Sequence, residues 1–130
     1  MTSEDEQKAI EEDFSQSWDR REEYYNDLIF NEGWDWLKPA LELVKELHKR
    51  EYDRKLLVAK PWHLFVLARS RLRDLRPEQT SLSFKFKRES GMRIRYYEGG
   101  SFITDFEVER VEITPEIEAL LARLLAQPID

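Results

Sequence analysis

Three alternating runs, packed into residues 82–108, constrain this chain more than any other feature. Leu82, Phe84 and Phe86 alternate with Ser83, Lys85 and Lys87. A period of two is the pattern of a strand with one face buried and the other wet. Ser90 and Gly91 follow as a turn, glycine accepting positive φ without steric cost. Met92, Ile94 and Tyr96 then alternate with Arg93, Arg95 and Tyr97, so the first two runs predict a hairpin with an apolar face and a basic one. Gly99 and Gly100 make a second turn. The third run sets Phe102, Thr104, Phe106 and Val108 against Ile103, Asp105 and Glu107. Val111 and Ile113 fall out of phase, which implies a bulge or bend near Glu109 and Arg110, or a separate fourth strand.

A helix closes this unit. Thr114 has the character of a cap, Pro115 suits the first helical position, and Glu116 meets the positive end of the dipole. Ile117, Leu120, Leu121, Leu124 and Leu125 recur at helical spacing and form one apolar stripe. The stripe is expected against the Phe84, Phe86, Ile94, Phe102 and Phe106 face, and Pro128 ends the pattern.

Upstream, Ser3 and Glu6 have the spacing of a capping box. Ile10, Phe14, Trp18, Tyr25, Leu28 and Ile29 lie along one helical face. They predict one helix over about residues 4–29, its first turns the ones prone to fray, or two helices parted near Ser15–Ser17. Asn31 and Gly33 supply a stop. A second helix opens around Asp35 with Pro39 in its first turn, buries Leu37, Leu41, Val44, Leu47 and His48, and ends near Arg54. On its wet side Glu46 with Arg50 and Glu51 with Lys55 have the spacing of ion pairs. Residues 61–68 fit either a helix started by Pro61, with Leu64, Leu67 and Ala68 inside, or a short buried strand; the helix is the favoured reading. The fold class is therefore α+β in one domain over residues 1–130. Two to three N-terminal helices lead, the first in an acidic segment 1–30. A three- to four-stranded antiparallel meander follows, closed by an amphipathic helix on the sheet within residues 81–126.

The net charge of -6 conceals a pattern. Residues 1–36 carry 12 acids and 3 bases, whereas residues 69–95 carry 9 bases and 3 acids. The chain has no cysteine, so disulfides, thiolate metal sites and cysteine nucleophiles are excluded. No apolar run approaches the ~20 residues of a membrane span. The opening residues are acidic and polar, unlike a secretory signal, so the expected location is the cytoplasm.

Candidate sites compete with plainer readings. Lys85, Lys87, Arg93, Arg95 and Tyr97 share the face opposite the apolar one, a workable platform for phosphates and stacked bases. Asp105 and Glu107 have the parity to sit opposite Arg93 and Arg95, so cross-strand ion pairs are the plainer reading. Trp34 and Trp36, with Tyr24 and Tyr25, are candidate aromatic anchors for a protein partner. Spaced i,i+2, the two tryptophans cannot share a helix face. His48 and Glu51 have a spacing that two metal ligands use, but no further ligands are marked, and both His48 and His63 read as partly buried structural residues. The four glycines form no phosphate loop, no nucleophile elbow is present, and Glu11/Glu12 and Glu22/Glu23 point apart on a helix. No cofactor or metal is expected. The reading that follows is a small soluble non-enzymatic interaction module: an adaptor, inhibitor or accessory subunit whose partner is another protein. The alternative is an anion- or nucleic-acid-binding module using the basic belt of residues 69–95.

Overall fold

A computed structural model describes residues 3–130; Met1 and Thr2, which open the acidic segment, lie outside the described residues. The chain is α+β, with three α-helices and one five-stranded antiparallel sheet among the described residues. Helix α1 spans Glu4–Phe30 without a break. Ser3 caps it, its Oγ accepting from the Glu6 N–H at 3.1 Å. A 3-10 turn, Asp35–Leu37, leads into α2, Lys38–Lys49. The α2 pattern stops five residues before Arg54, because Glu51 takes φ 68 and a second 3-10 turn, Tyr52–Arg54, follows. Strands β1 (Leu57–Ala59), β2 (Phe65–Ala68), β3 (Ser81–Phe86), β4 (Met92–Glu98) and β5 (Ser101–Val108) come next, in spatial order β1-β2-β3-β4-β5. Helix α3, Pro115–Leu125, closes the fold, capped by Thr114 Oγ1 accepting from the Ile117 N–H at 3.3 Å. No helix among the described residues is long and apolar enough to cross a membrane.

The strand count exceeds the three or four expected, because residues 57–68 form a hairpin and not a helix. Pro61 lies in its turn. Phe65, Val66, Leu67 and Ala68 are all buried, so β2 is covered on both faces. A strand buried on both sides reads as a continuous apolar run and loses its period of two. The helical spacing of Leu64, Leu67 and Ala68 is then coincidental, and Leu72 is exposed in the loop that follows.

Helices α2 and α3 lie on one face of the sheet. There Leu41, Val44, Leu47, Ile117, Leu121 and Leu124 join Leu82, Phe84, Met92, Ile94 and Tyr96 in one core. Two details of β5 differ from the alternation. Tyr96 pairs with Thr104 but Tyr97 pairs with Phe102, so Ile103 is an extra residue, a β-bulge. The bulge moves Phe102 to the outer face, where it is 56% exposed, and off the core face on which it was expected. The strand ends at Val108 and the chain bends at Glu109 and Arg110; Val111 and Ile113 pack on the core without forming a strand.

Helix α1 does more than flank the sheet. Near its start Ile10 and Phe14 pack with Leu57, which pairs with Ala68 on the outer side. Further on, Trp18, Tyr25 and Ile29 belong to the inner core. The helix therefore passes around the β1 edge from one face to the other. At the crossing its side chains satisfy the free edge of β1. Ser17 Oγ accepts from the Val58 N–H at 2.9 Å, and Trp18 Nε1–H donates to the Leu56 carbonyl at 2.8 Å. Arg21 Nη2 donates to the Ala59 carbonyl at 3.3 Å. An uncovered edge strand is a template for unwanted pairing, and here a helix occupies it.

Candidate functional sites

The outer face of β3–β5 holds the basic residues singled out in the sequence. Register places Arg93 opposite Glu107 and Arg95 opposite Asp105. The strongest pair is diagonal: Arg93 Nε and Nη2 donate to the two Asp105 carboxylate oxygens at 2.8 and 2.7 Å. Arg95 Nε lies 3.3 Å from Asp105 Oδ2, and Lys87 Nζ 2.6 Å from Glu107 Oε2. The Arg93 fork holds the Asp105 carboxyl below its ordinary range, and Lys87 does the same for Glu107. Arg95 also stacks over the Phe102 ring, 4.8 Å from its centroid. Tyr97 meets Phe102 edge-on and donates its hydroxyl to the Pro77 carbonyl at 2.6 Å. Lys85 is exposed and forms no ion pair among the described residues.

The aromatic candidates fall into two groups. Trp34 and Trp36 stack, with ring centroids 5.8 Å apart and 24° between planes. The i,i+2 argument against a shared face fails because Trp34 precedes the 3-10 turn and lies outside any helix. Arg88 sits 5.9 Å from both ring centroids. Trp34 is 38% exposed, Trp36 packs against the core, and Phe30, at the end of α1, is 73% exposed. Tyr25 is buried in the core and offers no surface to a partner, which removes it as an anchor. Tyr24 instead packs on Trp62, centroids 4.9 Å apart.

His48 is bracketed by carboxylates. Nδ1 lies 3.1 Å from Glu22 Oε1 and Nε2 3.4 Å from Asp53 Oδ2. Asp19 brings a third carboxylate: one ligand atom each from Asp19, Glu22 and His48 lie within 4.8 Å of one another. Glu51, paired with His48 on sequence spacing, stands outside the helix in the left-handed region. His63 is exposed in the β1–β2 turn, not partly buried.

A site that sequence reasoning passed over surrounds Arg21. This side chain is only 2% exposed, and no carboxylate pairs with it among the described residues. Nη1 donates to the Leu64 carbonyl and, at 3.4 Å, to the Tyr25 hydroxyl, whereas Nε has no partner. The guanidinium lies between two rings, 5.0 Å from the Trp62 centroid and 5.6 Å from that of Tyr25. A cavity of about 30 Å³ opens beside it, lined by Ser17, Arg20, Lys60, Trp62 and Arg73 among others and by no acid. The signal was present: Arg21 stands three residues after Trp18 and four before Tyr25, a cation within the apolar stripe.

These features define a two-layer α+β protein with an edge-covering helix. No protein-family model matches the chain, and comparison with curated proteins and with solved structures finds no significant match.

Proposed function

We propose that this chain is a soluble cytoplasmic interaction module that binds a basic protein through α1 and the aromatic residues at its C-terminal end. The observation that carries this is the charge on α1. Of its many carboxylates only Glu22 lies against a basic side chain, the His48 imidazole, among the described residues. The remainder face solvent or one another along a helix that ends at exposed Phe30 and the stacked Trp34. Such a face steers a positively charged partner, and the rings supply an apolar anchor of the kind that dominates interface energies.

The polyanion alternative on Lys85, Lys87, Arg93, Arg95 and Tyr97 has weaker support, because every cation there except Lys85 lies beside a carboxylate.

The test begins with proteins retained by the immobilised chain, identified, purified and titrated singly. A basic partner is expected whose affinity falls about tenfold or more between ~50 and ~200 mM salt and by a similar factor for the Phe30→Ser/Trp34→Ser variant. Retention of no basic protein, or binding indifferent to both changes, refutes the reading.

A further inference from the structure

We infer that the cavity beside Arg21 is an anion site that takes the phosphate group of a small phosphorylated molecule. Four cationic side chains, Arg20, Arg21, Lys60 and Arg73, line one cavity with no acid in its wall. Like charges gathered this closely repel unless a counter-ion sits among them. Among the described residues Lys60 pairs only with Asp74, 3.7 Å from its Nζ and almost fully exposed, where such a pair contributes little. Arg20 and Arg73 form no ion pair among the described residues.

The second observation is Arg21 itself. A buried guanidinium without a carboxylate carries a large desolvation cost. Backbone carbonyls and two aromatic faces offset part of it, yet Nε remains without an acceptor. An oxyanion in the cavity gives the guanidinium the charge partner that the fold does not. Arginine's planar fork matches a phosphate bidentately, which distinguishes this group from a lone lysine site.

Size and surroundings narrow the ligand further. About 30 Å³, room for roughly two waters, admits the leading oxygens of one tetrahedral head group and no larger body. The remainder of the ligand must therefore lie at the mouth, where Trp62 is 43% exposed. A phosphomonoester with an organic portion suits this arrangement, and the indole offers that portion an apolar surface. The cavity shares none of its lining residues with the acidic and aromatic surface proposed above.

The test is calorimetric titration of the full chain with inorganic phosphate, a sugar phosphate and a nucleoside 5′-monophosphate, with amide NMR locating the shifts. Acetate and chloride at matched ionic strength are the controls. Saturable binding of at least one phosphate compound, with shifts confined to residues around Ser17, Arg21, Lys60 and Arg73, is expected. The Lys60→Gln/Arg73→Gln variant is expected to keep the unliganded melting temperature and lose about tenfold or more in affinity. Arg21→Met is expected to abolish binding; should it fail to fold, the rim variant alone decides. Absence of saturable binding, equal responses to acetate and phosphate, or unchanged affinity in the rim variant overturns the inference.

Discussion

Replacing Ser17 with alanine tests the role of α1 as the cover of a sheet edge. Ser17 Oγ accepts from the Val58 N–H at 2.9 Å and donates to the Phe14 carbonyl at 2.6 Å, and both bonds are buried. Phe14 keeps its place in the helix without the hydroxyl. Val58 does not, because its N–H lies on the free edge of β1 and no strand is there to receive it. Leaving a buried donor unsatisfied costs about 1–3 kcal/mol. Alanine returns about 0.5 kcal/mol through its better helix propensity. The expected loss is about 0.5–2.5 kcal/mol, or a fall of about 2–10 °C in melting temperature for a domain of this size. Urea unfolding measures the total, and amide exchange at Val58 locates it: the Val58 amide should lose protection while that of Ile94, in the interior strand β4, keeps its own relative to the lowered global stability. Gln16→Ala, at an exposed position one residue earlier, is the control and should be neutral or slightly stabilising. A Ser17→Ala protein as stable as wild type, with Val58 still protected, would refute the edge-cover argument.

Other positions yield sharper contrasts. A Cβ at Gly91, where φ is +82, would stand 2.2 Å from the Val108 carbonyl oxygen, whereas at Gly33, with φ +73, it would meet nothing within 4 Å. Gly33→Ala is expected to lose only the left-handed backbone term of about 1–2 kcal/mol, and Gly91→Ala at least about 2 kcal/mol more as β4 and β5 are forced apart; equal losses in chemical denaturation would show that the clash is relieved freely. Burial, with the Glu98 charge adding to it, pushes the Tyr96 phenol up to about 12 from 10.0. A raised pKa favours the protonated folded state, so this contribution is complete below pH ~10 and lost as pH rises toward ~12. Tyr96→Phe lacks that component, and parallel unfolding curves for the two proteins between pH 9 and 12 would remove the claim. Asp105→Asn releases Arg93 and Arg95 from their shared carboxylate. Single-stranded oligonucleotide binding should then rise over wild type at ~50 mM salt and vanish at ~200 mM, and an unaltered affinity would mean that those arginines are not restrained by the ion pair.

How much of this was written locally can be judged residue by residue. Leu82 to Tyr97 and Thr114 to Leu125 follow their patterns because each element there has one buried face, so periodicity and burial coincide. The Ser3 and Thr114 caps followed for the same local reason. Phe102 escaped because a single bulge residue, Ile103, changes the face of everything before it, and one inserted residue leaves no mark on an alternating run. Residues 65–68 escaped because both of their faces are covered, the outer one in a neighbourhood built by α1 and the C-terminal tail, contacts that no window of adjacent residues contains. The candidate sites divide along the same line. The parity of Asp105 and Glu107 was legible, and their ion pairs with the belt depend only on strand register. The His48 bracket and the Arg21 cavity depend on where α1 crosses the sheet, since Glu22, Asp19, Ser17 and Arg21 all lie on that short stretch.

That clustering follows from the crossing. A helix that lies on one face of a sheet can be apolar along one stripe and polar elsewhere. A helix that turns around an edge must present hydrogen-bonding groups to the unpaired strand at the point where its apolar stripe changes sides. Trp18 and Arg21 donate to that edge and Ser17 accepts from it, and each stands inside the stripe. Serine and tryptophan meet the requirement as neutral groups, so a charge is not needed to close the edge. An arginine there brings a positive charge into a buried position beside an open cavity that three further cations line and no acid does. Edge closure accounts for the hydrogen bond to Ala59 but not for that surplus of charge. The comparison of Arg21→Met with Trp18→Phe separates the two roles: both weaken the edge, and only the first should remove phosphate binding.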